Sequence, residues 1–269
     1  MPTTTASQFG TLLRHWREAR RYSQLDLALT ADISSKHVSF LENGRNQPSR
    51  AMILRLATAM DLPLRDRNLL LSAAGFASVY TESSLEAPEF GQVDEALRRI
   101  LEKHEPYPAI VVDGNWDIVA QNRGAATLMT LFVPNAAELS GNAFELLFSE
   151  NGLQPFVVEW ENLSAMLLFR LFREAMSSPE NRRKRALFER IAAMPSTPEN
   201  WRELAGSLPS GPTIDLVLKK DRLEYRFFTT VTTFGTPQDV TLQELRIESY
   251  FPSDDATRGL CDSWSSDLD

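Results

Sequence analysis

The residue types that carry covalent or metal chemistry are scarce in this chain of 269 residues. Its three histidines are His15, His37 and His104, and none lies between residues 107 and 252. Its single cysteine is Cys261. One cysteine excludes an intrachain disulfide and any cysteine-clustered zinc or iron–sulfur site. A body without His from 107 to 252 argues against a histidine-held haem, and the same stretch offers no thiol to a flavin. No GxGxxG, P-loop or GxSxG spacing is present. Acidic pairs occur, but without a nucleophile or metal constellation beside them. Enzymatic chemistry is therefore not expected, and neither a metal nor a resident cofactor.

A different chemistry is written in residues 23–45. Ser34, Ser35, Lys36 and His37 gather hydrogen-bonding groups at the start of one helix, with Ser39 and Phe40 further along it. Lys36 can donate to guanine O6 and N7, and the serines can donate or accept. Phe40 suits a thymine methyl or, equally, the interior of the domain. Asn43, Gly44 and Arg45 form a loop whose amides and guanidinium suit phosphate. Arg14, Arg17, Arg50 and Arg55 are further cations that fit either phosphate contacts or a plain solvated surface.

These residues need two helices crossing steeply over a tight turn. Ala28 supplies the small side chain at the crossing, and Asp32-Ile33 is the break. Val38 and Leu41 anchor the second helix and leave its other face free for a major groove. The pattern from SQLDLA to SFLENGRNQP resembles the Xre/Cro-type repressor family over about Phe9–Phe76. In that family the glutamine at Gln24 contacts phosphate, as the resemblance implies here. One departure is Asp32, where a glycine with positive φ is usual; Asp tolerates that region better than most residues.

The elements around this pair are legible. Phe9, Leu12, Leu13 and Trp16 mark the buried face of a first helix. Ser23 caps the second helix, with Asp26 reciprocating. Ser34 caps the third, which ends at Asn43-Gly44. Ser49 starts a fourth with Met52, Ile53, Leu56 and Met60 inward. Pro63 opens a fifth, stopped by Gly75. Residues 1–80 hold ten Lys/Arg against six Asp/Glu, net +4, so −12 of the total −8 falls on the rest. A basic head on an acidic body suits a polyanion partner for the head alone.

Four segments follow: a helix-turn-helix domain at 1–78, a linker at 79–105 with a short helix over Val93–Lys103, a second domain at 106–260, and a tail at 261–269. In the second domain, Ala109–Asp113 and Trp116–Ala120 read as a hairpin around Gly114-Asn115. Asn122 caps a helix bearing Leu128. Phe144–Phe148 is a short apolar helix, Phe156–Met176 a long one and Pro179–Met194 another, whose run Arg182–Arg185 reads as a solvated face. Three alternating strands end the domain. On the last, Arg246 lies between Glu244 and Glu248 on a face read as outward. Two strands, several helices and three strands make a PAS-like order, with one sheet face covered by helices.

The blocks PYPAIVVDGNWDIVAQNRGA and FGTPQDVTLQELRIESYFPSDDAT, with SSKHVSFLENGRNQPSR, together resemble the MmyB-like branch of Xre regulators over residues 9–260. The resemblance implies an α+β chain: an N-terminal all-α, lambda-repressor-like helix-turn-helix bundle and a C-terminal PAS-like α/β sensor domain. It also implies a fatty-acid-like or other acyl small molecule as ligand. Candidate lining residues are Trp116, Leu128, Phe144, Leu147, Trp160, Leu167, Leu171, Phe227 and Ile247, with Arg123 or Arg170 available to balance a carboxylate. The expected partners are a double-stranded DNA operator, the small apolar ligand and a second copy of the chain, since half-sites lie about 34 Å apart. No run nears the ~20 apolar residues of a membrane span, and the N-terminus lacks signal-peptide features, so the expected location is cytoplasmic. The alternative is a repressor whose second domain is only a dimerisation scaffold.

Overall fold

The computed structural model describes residues 4–136, 139–178, 181–208 and 213–266. The chain divides into two compact units: residues 1–83 with 236–243, and residues 84–235 with 244–269. Among the described residues, no helix is long and apolar enough to cross a membrane.

The first unit contains α1 (Thr4–Ala19), α2 (Gln24–Thr30), α3 (Ser35–Glu42), α4 (Arg50–Ala59) and α5 (Leu64–Ala73). Local chemistry sets their starts. Ser23 Oγ accepts from Asp26 N, and Asp26 returns a bond to Ser23 N, completing a capping box. Ser34 and Ser49 cap α3 and α4 through His37 N and Met52 N. Asp32, in the turn between α2 and α3, takes φ +51°, as its place in the motif requires. Phe9, Leu13, Trp16, Leu27, Val38, Leu41, Ile53 and Leu56 fill one core. Gly10 permits the closest approach within it. A Cβ there would stand 2.4 Å from the Glu42 carbonyl oxygen, so α1 and α3 meet backbone to side-chain-free backbone.

Glu42 is the polar centre of this unit. Its side chain has no solvent exposure. Arg17 Nε lies 2.5 Å and Nη2 3.1 Å from its oxygens, Gln24 Nε2 2.8 Å and Arg14 Nε 3.3 Å. Burial pushes the Glu42 carboxyl up, but the hydrogen bonds from Arg17 and Gln24, the charge of Arg17 and the bond from Arg14 outweigh it. The net effect holds the group below the usual glutamate range. Arg17 is therefore an internal counter-ion, not the phosphate contact considered for it; only 8% of it is exposed. Residues 236–243 join this unit through Val240 N to Thr81 O at 2.8 Å, Ser83 N to Asp239 Oδ2 at 3.1 Å and Leu64 N to Gln243 Oε1 at 2.6 Å.

The second unit begins with α6 (Gly91–Lys103), β1 (Ala109–Val112), β2 (Ile118–Gln121) and α7 (Arg123–Phe132). It continues through α8 (Ala143–Phe148), α9 (Trp160–Ser177), α10 (Arg182–Ala192), α11 (Trp201–Ser207), β3 (Ile214–Lys220) and β4 (Leu223–Thr233). After α12 (Val240–Glu244) it ends in β5 (Arg246–Pro252) and α13 (Asp255–Ser266). The sheet order is β2-β1-β5-β4-β3, antiparallel throughout. The last strand in sequence is thus the central one. The fold class is α+β.

Two boundaries differ from the sequence reading, each for a backbone reason. The second hairpin strand starts at Ile118, not Trp116, because Trp116 closes the turn with φ +68°. The long helix starts at Trp160, not Phe156: Val157 bridges Leu218 and Glu159 takes φ +56°. The next helix is described from Arg182; Pro179, its expected start, lies outside the described residues. At the C-terminus α13 packs on β4 with Cys261 buried, and residues 267–269 lie outside the described set. Burial, with Asp262 nearby, pushes the Cys261 thiol up to about 12, so it stays an inert core group at neutral pH.

Because Glu42 is held below its ordinary range, its contribution to stability is present above that range and lost as pH falls through the folded value. Urea denaturation of the full chain should show this acid-side loss in the first unit. Glu42→Gln should remove that part of the pH dependence and, by leaving Arg17 buried without its carboxylate, cost about 3 kcal/mol at pH 7. A variant as stable as the parent at pH 7 would contradict the assignment.

Candidate functional site

The outer face of α3 carries the expected nucleic-acid contacts. Ser34, Ser35, Lys36, Asn43 and Arg45 are exposed, and His37, Ser39 and Phe40 half-buried. Phe40 is not a member of the hydrophobic core of its unit. Its ring lies 5.4 Å from Lys36 Nζ and 5.8 Å from the Arg45 guanidinium carbon, so the three form a cationic and aromatic ridge. Ser34 Oγ is engaged as the helix cap. Asn43 donates to Ser39 O at 2.8 Å and accepts from Arg14 Nη2 at 3.1 Å, which fixes the loop at the end of α3. Gln24 donates one amide hydrogen to Glu42. That bond orients the side chain, and a glutamine amide has a second hydrogen to offer.

The second unit holds a half-open cavity of about 650 Å³ between one face of the sheet and helices α7, α8 and α9. Its wall is mainly apolar. Ile110 of β1, Ile118 of β2, Leu128 and Met129 of α7, Phe144 and Leu147 of α8, and Leu163 and Leu167 of α9 all contribute. Volume and lining fall in the range of small-molecule sites. Six of the sequence candidates meet here: Trp116, Leu128, Phe144, Leu147, Leu167 and Arg170.

Five candidates do not line it. Leu171 lies one turn beyond Leu167 on α9, in a cluster that includes Leu187, Ile191 and Trp201 from α10 and α11, and is not part of the cavity wall. Trp160 packs edge-on against Phe148 and donates its indole N–H to Ser196 O at 2.6 Å. Ile247 alternates onto the other face of the sheet, while its neighbours Arg246 and Glu248 face the helices. Phe227 is fully buried against Tyr225 and Tyr250, outside the cavity wall. Arg123 lies on a separate groove along α6 and β2, 3.8 Å from Glu105. Helical and strand periodicity shows that such residues are buried; it does not show which of two buried faces meets a hollow.

One end of the cavity is polar. Trp116, strained at positive φ, donates its indole N–H to Glu174 Oε2 at 3.1 Å. The Arg170 and Arg246 guanidiniums lie 4.4 and 4.7 Å from the centroid of its ring. Arg246 Nη1 reaches Glu174 Oε1 at 3.0 Å, and Lys184 Nζ lies 3.7 Å from Glu174. Arg170 bridges Glu174 at 3.4 Å and Glu248 at 3.5 Å. Tyr250 Oη stands 3.5 Å from Glu248 Oε2. Burial pushes the Glu248 carboxyl above the ordinary range, although Arg170 and Arg246 pull the other way. Burial likewise raises Tyr250, so its hydroxyl keeps its proton.

This cluster corrects two sequence readings. Arg246 and Glu248 are not outward: β5 is the central strand, and their face is covered by α9. Nor is the basic run on α10 wholly solvated. Lys184 is buried beside Glu174, while Arg183 is exposed and pairs with Asp117 at 2.9 Å. Glu174, Glu248 and Tyr250 were missed. For Glu248 and Tyr250 the sequence signal was a polar face on the last strand, whose meaning depended on that strand being central; Glu174, on α9, carried no such signal. Gly114 sits in the expected turn and also permits a close approach: a Cβ there would meet Glu244 Oε2 at 2.4 Å.

Glu174 is shared by Trp116, Arg170, Lys184 and Arg246. Glu174→Leu should leave three cations without their common carboxylate and cost about 3 kcal/mol in urea denaturation. Adding Arg246→Met should recover part of that loss. Equal stability of Glu174→Leu and the parent would show that the cluster does not hold α9 to the sheet.

Comparisons with known proteins agree with this geometry. Residues 8–70 match a family model described as a helix-turn-helix domain. Residues 93–262, more than half the chain, match the MmyB-like transcription regulator ligand binding domain. A relative from Bacillus subtilis (strain 168), the uncharacterized HTH-type transcriptional regulator RghRB, is 38% identical over 84 residues. That match spans 31% of this chain and 58% of the relative. A solved structure of an RNA-binding light-oxygen-voltage receptor is 12% identical, covering 97% of this chain and 61% of its own, with a TM-score of 0.29. A likeness at that score bears on neither fold nor function. The family match is decisive over both units: the chain belongs to the MmyB-like transcription regulators, a helix-turn-helix DNA-binding domain joined to an MmyB-like ligand-binding domain.

Proposed function

We propose that the chain is a DNA-binding regulator whose second unit takes up a small apolar, acyl-type molecule, and that uptake changes its affinity for an operator. The observation that carries this reading is the mainly apolar cavity of about 650 Å³ between sheet and helices. A domain serving only as a scaffold would close such a hollow with side chains, since interiors pack densely. The strand order β2-β1-β5-β4-β3, with α7–α11 between β2 and β3, supports a PAS-like sensor plan.

The chain itself suggests how the ligand acts. The segment 236–243, bonded within the DNA-binding unit at Thr81, Ser83 and Leu64, runs directly into β5. β5 carries Glu248 and Tyr250 of the cavity wall. A ligand that prefers one position of β5 biases the segment leading from it, and hence the equilibrium of the DNA-binding unit. The active species is a homodimer reading two half-sites about 34 Å apart. Lys36, Ser35 and Phe40 read bases; Gln24 and Arg45 hold phosphate.

Three experiments test this reading. Arg45→Ala should weaken binding to specific and unrelated duplexes alike and lower the salt slope by about one, whereas Lys36→Ala should relax base preference at one position per half-site. Leu167→Trp should fill the cavity with little loss of stability and abolish any ligand response. A loss of about 1–3 kcal/mol would instead indicate a closed core. Native mass spectrometry reads stoichiometry and any co-purified small molecule in one spectrum; a strict monomer would refute the dimeric mode.

A further inference from the structure

Of the apolar side chains of α3, Val38 and Leu41 are fully buried, whereas Phe40 stays partly exposed and outside the core of its unit. Its ring has company of one kind. Lys36 Nζ, one turn earlier, lies 5.4 Å from the centroid, and the Arg45 guanidinium carbon 5.8 Å. The helix end brings Arg45 there. Arg45 N and Asn46 N both donate to Phe40 O, at 2.8 and 3.3 Å, across Gly44 at φ +67°. The ring and its two cations are thus fixed together on the face of α3 that Val38 and Leu41 leave free.

A phenyl ring has neither donor nor acceptor, so it cannot read the hydrogen-bonding edge of a base. Set against such an edge it would strip the water from polar atoms and give nothing back. The apolar group available in the major groove is the C5-methyl of a pyrimidine. Thymine carries it, and 5-methylcytosine carries the same group on the same carbon. Lys36 beside the ring donates to guanine O6 and N7. The two residues are about 6 Å apart along the helix, and base pairs stack about 3.4 Å apart. We propose that Phe40 is a methyl-reading residue, its ring covering a pyrimidine C5-methyl group within two base pairs of the guanine that Lys36 reads. This rests on α3 being the helix in the groove, and adds which base group the ring recognises.

The test begins by selecting half-sites for the full-length protein from random unmodified duplexes. In the selected duplex each thymine is replaced, one at a time, by deoxyuridine, which lacks only the methyl group. Affinities are compared at one fixed salt concentration. One replacement per half-site should weaken binding about fourfold, the worth of one buried methyl group. That thymine should lie within two base pairs of the position at which Lys36→Ala relaxes base preference. Phe40→Ala should bind the thymine and deoxyuridine duplexes equally. Cytosine and 5-methylcytosine are then placed at the same position. A gain from 5-methylcytosine over cytosine supports recognition of the methyl group in either base; no gain there, with thymine still favoured over deoxyuridine, supports it with thymine as the source. A half-site in which no thymine responds to loss of its methyl, or a response that Phe40→Ala retains, would overturn the assignment while leaving DNA binding intact. Absence of binding to any duplex would overturn the DNA-binding reading of α3 as well. The thymine–deoxyuridine comparison on the parent protein decides the matter even if Phe40→Ala does not fold.

Discussion

Burying charge beside an apolar hollow is the constraint on which the second unit depends. A carboxylate at that depth is tolerated only when cations and donors close around it. Glu174 meets that demand from four directions. Trp116 comes from the hairpin turn, Arg170 from its own helix, Lys184 from α10 and Arg246 from the central strand. One group thereby ties the sheet, the turn and two helices together at one end, while mainly apolar residues line the remainder. The positive φ of Trp116 fits this arrangement. The turn accepts an unfavourable backbone so that the indole can face both guanidiniums and reach Glu174.

The DNA-binding unit solves the same problem on a smaller scale. Glu42 ends the recognition helix and faces inward, so α1 must supply Arg14 and Arg17 and α2 must supply Gln24. α3 is thus fixed in rotation by a buried ion pair, with Val38 and Leu41 as its apolar anchors. Lys36, Phe40 and Arg45 are left together on the opposite face. The glycine at position 10 lets α1 come close enough for its arginines to reach. Specific recognition depends on such fixed orientation, because base contacts discriminate only when the helix cannot rotate away from them.

Connectivity gives regulation a physical route. The chain leaves β4, spends residues 236–243 among the bonds of the DNA-binding unit, and returns as the middle strand of the sheet. A central strand pairs on both sides, with β1 and β4, and so moves less freely than an edge strand. In the proposed reading, a ligand touching Glu248 and Tyr250 would act on the strand whose N-terminal end leads straight out of that segment.

Much of this was determined by the sequence alone, and for local reasons. Ser23, Asp26, Ser34 and Ser49 act on amides a few residues away, so the starts of α2, α3 and α4 were legible without any tertiary knowledge. Asp32 took the left-handed turn that its place between two helices demanded. Alternation marked the three late strands and helical spacing marked the buried sides of α7, α8 and α9. What only the tertiary structure decided was which buried side meets a hollow and which meets another helix. Leu167 and Leu171 lie one turn apart on the same face of α9, yet only Leu167 reaches the cavity wall. The polar face of β5 was visible as a pattern, but it could be read as outward until the strand order placed β5 in the middle of the sheet. Periodicity encodes burial, a one-body property of each residue. The cavity and its Arg170–Glu248 pair are properties of residues 78 positions apart, and only the fold sets their distance.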